Sequence, residues 1–478
     1  MKLKLDPLTR IEGHLKVNAV IENNIVKDAF ISGQMYRGFE RFLINRNPID
    51  AARITQRVCG VCHEVHGVAS VLALEELYNV EPPLNGKILR DILLGLHIIT
   101  DHILHFYILS LPDYINFKAI LKYTGRDSTL NTVKNWVIND SPGFITTDLN
   151  GDYLEDINLS ISLINNYLKA IDIRSKVSSG MAIIGAKVPF IHALLPGGIT
   201  THVNSDSLMK LSTTIDLVSD FVKNVYLKDA FNLAEHFKNY FNIGSSYHNF
   251  FCYSSFSTLD KPVFKKGVYI NGSFADLDYK NIVEYVDSSF YNQDGSPFED
   301  KKSAYSWIKA PRYKNIPLET GPLARLFINK NVQLFNVLEK YNIMNRPSST
   351  MARIVARAIE ANVIADHLYS LLDKFDITKP TIVDFDLQKP VSGEGRGFSI
   401  AARGDLYHYI NANNGKVMEY NLIVPSTWNF GPTANGYKGV VEKALIETPV
   451  KYGLNANNSI EIGRVIRSFD PCLACSVH

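Results

Sequence analysis

Four of the five cysteines fall into two Cys-x-x-Cys pairs, Cys59 with Cys62 near the start and Cys472 with Cys475 at the end. Each pair is followed by histidine: His63 and His66 after the first, His478 after the second. A Cys-x-x-Cys turn brings two soft thiolates to one side of a metal. Two such turns supply the four sulfurs that suit zinc, an iron-sulfur cluster or nickel. Spacing alone does not choose among these. A zinc ribbon closes locally, with about 15–20 residues between its pairs, whereas here nearly the whole chain intervenes. A thioredoxin-like dithiol would follow a strand and open a helix in a βαβ unit, and neither pair does. If all four thiols share one site, the two ends of the chain must meet in space.

The elements that must bring them together can be read in outline. With 478 residues, 46% of them hydrophobic, the chain can bury a large core. A formal net charge of +2 gives no electrostatic footprint for nucleic acid or an anionic membrane surface. Five cysteines are too few, and odd in number, for a disulfide scaffold. The opening residues Met1 to Pro7 lack the apolar run of a signal peptide, so the chain is expected to begin in folded sequence. The most apolar stretch, 88–111, contains Arg90, Asp91, His97, Asp101, His102 and His105, which predicts a buried helix and no membrane span.

Apolar residues recur at three- and four-residue intervals over 208–227 and 351–372, predicting helices. Alternating apolar residues on both sides of Asn23-Asn24, and again around Asn413-Asn414-Gly415, predict hairpins near each end. Residues 274–301, rich in Asp, Ser, Asn and Gly, suit a loop-rich excursion or a small peripheral sheet, the natural place for insertion. No linker or repeat divides the chain, so one integrated domain over 1–478 is expected. The predicted fold class is α+β and predominantly helical. A central helical bundle would carry peripheral hairpins and small sheets, with both terminal segments meeting at a buried metal site.

Several separated motifs share the chain with the cysteines. They are Thr9-Arg10-Ile11-Glu12-Gly13-His14, Arg37-Gly38-Phe39-Glu40, residues 57–66, and His105-Phe106-Tyr107 followed by Asp113. Later come Pro196-Gly197-Gly198, Gly321-Pro322-Leu323-Ala324-Arg325, Ala402-Arg403-Gly404, Val424-Pro425-Ser426-Thr427-Trp428-Asn429, and residues 470–478. In this order, along its whole length, the sequence resembles the large catalytic subunits of nickel-iron hydrogenases. The resemblance implies that Cys59 and Cys472 bind nickel terminally. Cys62 and Cys475 would bridge nickel to an iron carrying two cyanides and one carbon monoxide, strong-field ligands that no side chain can replace.

Reversible heterolytic cleavage of hydrogen, the implied reaction, needs a base within hydrogen-bond reach. Glu12 matches the family carboxylate that takes a proton from the terminal cysteine, here Cys472; the bland alternative is a surface salt bridge with Arg10. Arg403 matches the arginine that reaches over the site toward a cyanide, with Asp113 and Asp470 as its carboxylate neighbours. Ser426 matches the hydroxyl at the other cyanide, and His66 the histidine beside the bridging thiolate of Cys62. Glu40, His478 and the carbonyl of Leu422 match the ligands of a second, structural metal, magnesium or iron. His97, His102 and His105 read as core or interface histidines, and Cys252 as a buried apolar thiol.

All four paired cysteines are committed, so no ligand set remains for an iron-sulfur cluster. The resemblance therefore implies a separate iron-sulfur small subunit in a tight heterodimer, together with a maturation protease and nickel-insertion proteins. It implies a cytoplasmic protein or one held at a membrane through its partner, with periplasmic export alongside the small subunit left open. Two departures from the family pattern lean toward cytosolic uptake or sensory members: Ala402 stands where many uptake enzymes have proline, and Asn429 is followed by Phe430. Val61, where sensors carry isoleucine, favours a catalytic enzyme, and a cysteine at 472 gives no indication of the selenocysteine variant. Uptake catalysis is the expectation. A hydrogen-sensing subunit of low turnover is the rival, and a metal-free quinone-type relative is disfavoured by the intact cysteine pairs.

Overall fold

The Leu84–Ile103 helix is packed on several sides by other helices, among them Ile157–Gly185 and Thr350–Lys374. The computed structural model describes residues 1–139, 151–451 and 459–478. Burial explains the apolar composition of the 88–111 stretch, because 83% of its most apolar window lies inside the protein. Its polar groups are paired within that interior, as Arg90 to Glu75 and His102 to Glu360 illustrate. Gly95 marks a close helix crossing, where a Cβ would come within 2.7 Å of the Leu368 side chain. The 208–227 segment forms the Ser205–Phe221 helix, a π-helical turn over Val222–Tyr226 and the start of Leu227–His236. Asn204 caps the first of these by accepting the Ser207 N–H, and Ser349 caps Thr350–Lys374 in the same way.

Around this helical core the strands fall into five antiparallel sheets of two or three strands among the described residues. Lys2–Leu5, Leu15–Glu22 and Ile25–Gly33 form one, with Asn23 and Asn24 both at positive φ as a tight hairpin turn requires. Leu15, Val17, Ala19 and Ile21 point inward by strict alternation. Residues 274–301 take part in two small sheets through Ser273–Ala275 and Ile282–Tyr285, as their composition suggests.

The second hairpin turns at Asn414-Gly415 between Gly404–Asn413 and Lys416–Ile423, and a third strand, Gly393–Ala401, lies beside it. That third strand is not foreseen by alternation alone. Its signal is the Gly393-x-Gly395-x-Gly397 spacing, which lets it lie directly on the His63–Tyr78 helix. A Cβ at Gly395 would sit 1.9 Å from the Ala73 carbonyl oxygen, and one at Gly397 1.8 Å from that of Ala69. The contact sets the helix that follows the first cysteine pair against the strand that leads to Arg403.

The chain ends meet through backbone pairing. Glu12 N–H donates to the Pro471 carbonyl at 3.3 Å, and Leu473 N–H donates to the Glu12 carbonyl at 2.9 Å, in parallel register. Arg37 N–H adds a bond to the Val477 carbonyl at 3.0 Å. Gly397→Ala is expected to lower the thermal unfolding midpoint, with a cost of roughly 3 kcal/mol or more, because backbone on both sides must yield. An unchanged midpoint by calorimetry would contradict the proposed contact.

Candidate metal centre

The two cysteine turns face one another. Cys59 follows the 3-10 turn Thr55–Val58, and Cys62 opens the His63–Tyr78 helix. Cys472 follows the Ile460–Ser468 helix and precedes the short Leu473–Ser476 turn of helix. The Sγ atoms of Cys59 and Cys472 are 3.3 Å apart, Cys62 and Cys475 3.0 Å, Cys472 and Cys475 2.9 Å. These separations exceed a disulfide bond of about 2.05 Å, and all four sulfurs lie within 4.8 Å of one another, buried. Burial pushes the Cys472 and Cys475 thiols well above their usual range. Four adjacent thiolates would repel, so this arrangement calls for a cation at its centre. One side chain ties the two turns together: the Arg37 guanidinium donates to the carbonyls of Val58, Arg57 and Ala474.

Beside the sulfurs is a small cavity walled by Val65, Ala401, Leu406 and Pro425, with His66, Arg403 and Ser426 as its polar members besides the sulfurs. Arg403 Nη1 donates to Asp101 at 2.9 Å, its Nη2 lies 3.3 Å from Asp470, and its buried Nε has no hydrogen-bond partner. Ser426 Oγ accepts the Cys472 N–H at 3.0 Å, which leaves its own proton free to donate. An apolar chamber with two donors suits small, anionic or weakly accepting diatomic ligands on a metal. On the other side, Glu12 Oε2 accepts from Cys472 Sγ at 3.2 Å and from Ala474 N–H at 3.0 Å. Burial, and next the charge of Cys59, raise the Glu12 carboxyl above its ordinary value.

The model of the nickel-dependent hydrogenase family matches residues 37–478. This chain belongs to the nickel-dependent hydrogenase large-subunit family. It is 32% identical to the periplasmic NiFeSe hydrogenase large subunit of Desulfomicrobium baculatum, covering all of this chain and 95% of that one. It is 31% identical to the hydrogenase-2 large chain of Escherichia coli K12, covering all of this chain and 97% of the relative. The fold superposes on the Ni-Fe-Se hydrogenase of Desulfovibrio vulgaris Hildenborough with a TM-score of 0.88 at 33% identity, covering both chains completely.

Within this hydrogenase subunit, the expectations for Asp113 and His66 need correction. Asp113 does not neighbour Arg403: its carboxylate accepts from Arg10 and, at 2.7 Å, from Arg467, and the second carboxylate at Arg403 is Asp101. Arg10 and Arg467 outweigh burial and hold the Asp113 carboxyl below its usual value. Because Arg10 is taken up by Asp113 and the Leu109 carbonyl, Glu12 is not its salt-bridge partner. The His66 ring makes its sulfur contact with Cys475, Nε2 to Sγ at 3.4 Å, and it is the His66 backbone N–H that bonds the Cys62 carbonyl, also at 3.4 Å. Glu40 and His478 do meet, with Oε1 and Nε2 3.6 Å apart, and His478 Nε2 is buried without a hydrogen-bond partner. Leu422 reaches Glu40 through its amide N–H at 3.0 Å, and Lys309, which the sequence did not single out, donates to the other oxygen at 2.9 Å.

His97 lies 3.6 Å from Glu64 and 3.7 Å from Asp101, while His102 pairs with Glu360 and His105 Nε2 donates to the Arg467 carbonyl at 2.6 Å and lies 3.1 Å from Ser110 Oγ. They are core histidines. Cys252 is buried, 3.1 Å from the Lys265 carbonyl. Asp113→Asn is expected to cost about 3 kcal/mol in stability, since it leaves the buried Arg467 and the partly buried Arg10 without their carboxylate. A denaturation midpoint equal to that of the wild type would remove Asp113 from this anchoring role.

Proposed function

We propose that this large subunit catalyses reversible heterolytic cleavage of hydrogen, working in the uptake direction. Nickel would be held terminally by Cys59 and Cys472 and bridged by Cys62 and Cys475 to an iron with two cyanides and one carbon monoxide. The observation that carries this reading is the meeting of four buried sulfurs from opposite chain ends, with a carboxylate on one of them. The chain would act as one integrated domain over 1–478.

The bimetallic group, when bound, supplies the redox-active, electron-rich centre at which the H–H bond is polarised. The protein supplies the rest. Glu12 stands 3.2 Å from Cys472 Sγ, so its Oε2 can take a proton leaving that sulfur, and the Ala474 N–H keeps the carboxylate aimed there. Arg403 would donate to one cyanide from above, held by Asp101 and Asp470, and Ser426 would donate to the other. Val65, Ala401, Leu406 and Pro425 exclude water from the same space. Glu40, His478 and the Leu422 carbonyl would hold magnesium or iron; the unpartnered His478 Nε2 supports this second site, and Lys309 would balance the Glu40 charge.

Electrons must leave to a second protein. Gly60 is exposed between the buried Cys59 and Cys62, so a cluster in a docked iron-sulfur small subunit can come close to the centre there. Assembly would require nickel-insertion proteins and a maturation protease. The compartment would follow the partner, in the cytoplasm, at a membrane, or in the periplasm, where the relative named periplasmic is found.

Glu12→Gln should keep both metals and the infrared bands of the cyanide and carbonyl ligands, yet reduce hydrogen-deuterium exchange about a hundredfold, the low end of general-base contributions. Undiminished exchange would assign the proton to another group. Cys59→Ser should lower nickel content by elemental analysis; full nickel occupancy with wild-type dye-linked hydrogen oxidation would contradict its role as ligand. Wild-type oxidation with a dye at ordinary rates also separates a catalyst from a low-turnover sensor.

A further inference from the structure

Behind Cys475 runs a chain of hydrogen bonds that the reading above does not use. His66 Nε2 is 3.4 Å from Cys475 Sγ, and His66 Nδ1 is 3.1 Å from His408 Nε2. His408 Nδ1 is 2.9 Å from Tyr420 Oη, which is 3.1 Å from Ser70 Oγ. All of these side chains are buried. Neither imidazole meets a carboxylate among the described residues, and the 3.1 Å contact between two ring nitrogens needs a proton on only one of them.

A neutral imidazole carries one N–H, so the direction of any single bond fixes the direction of all the others. If Cys475 carries a proton, the bonds can run outward, ending with Tyr420 donating to Ser70. A thiolate committed to metal has no proton and only accepts. His66 then donates from Nε2 and must accept at Nδ1. His408 donates to it and accepts from the Tyr420 hydroxyl, and Tyr420 accepts from Ser70. Four donors thus point one way, and aligned hydrogen bonds polarise one another.

The scaffold keeps this alignment. His66 and Ser70 lie one turn apart on the His63–Tyr78 helix, while His408 and Tyr420 come from the paired strands Gly404–Asn413 and Lys416–Ile423. We infer that His408, Tyr420 and Ser70 form, through His66, a polarised array that draws electron density from the Cys475 sulfur, with His408 and Tyr420 as positioning residues. The inference rests on the reading of Cys475 as a bridging thiolate.

The test is infrared spectroscopy of the purified holoenzyme. Tyr420→Phe keeps the ring and removes the hydroxyl, so His408 loses the donor that fixes its tautomer. Sulfur then donates more to iron and iron more to the carbonyl, so the carbonyl stretch should move to lower wavenumber with nickel and iron content unchanged. Ser70→Ala should shift the band the same way and by less. Bands that coincide with the wild type in Tyr420→Phe, with both metals retained, would overturn the array. If Tyr420→Phe loses metal, Ser70→Ala decides between the same two outcomes. A wild-type spectrum without carbonyl and cyanide bands would instead sink the bridging assignment beneath it.

Discussion

Everything at the centre depends on a short backbone splice between the two ends of the chain. Two hydrogen bonds, from Glu12 to Pro471 and from Leu473 to Glu12, lay the N-terminal segment alongside the second cysteine turn. The same pairing that brings Cys472 into place also puts the Glu12 carboxylate on its sulfur. The proposed ligand and the proposed base are therefore positioned by one interaction. Gly13 allows the close approach, because its φ is +81° and a Cβ there would come within 2.8 Å of the Ala474 nitrogen.

A splice made of so few bonds has to be supported from outside. The Ile460–Ser468 helix, which delivers Cys472, is anchored by Arg464 and Arg467 to the Asp113 carbonyl and carboxylate and to the Thr9 carbonyl. Arg357 donates to the Ser468 carbonyl at 2.5 Å from the Thr350–Lys374 helix. Farther into the core, Arg325 is buried against Glu360 and Asp405, and Arg353 against Glu319. Buried ion pairs contribute little net stability, since desolvation nearly offsets their attraction, but each tolerates only one arrangement. Here they fix the angle at which the C-terminal turn enters the helical body.

Charge around the sulfurs differs from side to side. Arg403 pairs with Asp101 and Asp470 on the cavity side, the Glu12 carboxylate stands beside Cys472, and the imidazoles of His66 and His408 back Cys475. In the proposed reaction one face of the site would donate to ligands, a second would move a proton, and the third would set electron density on sulfur.

The sequence by itself determined much of this. Two Cys-x-x-Cys turns, the Asn-rich hairpin turns, the helical periodicity over 351–372 and the burial of the 88–111 stretch all follow from local chemistry that no neighbour needs to supply. What it could not decide were facing relationships between elements. Asp101 and Asp113 lie on one continuous helical stretch with the π-helical residues Leu104–Ser110 between them, and one carboxylate meets Arg403 while the other meets Arg10 and Arg467. Which sulfur His66 meets, and that His408 and Tyr420 stand behind it, depend on how the Gly393–Ala401 sheet lies on the His63–Tyr78 helix. Periodicity is local to the chain, whereas the angle and register between packed elements exist only once glycines, ion pairs and termini have met in the folded protein.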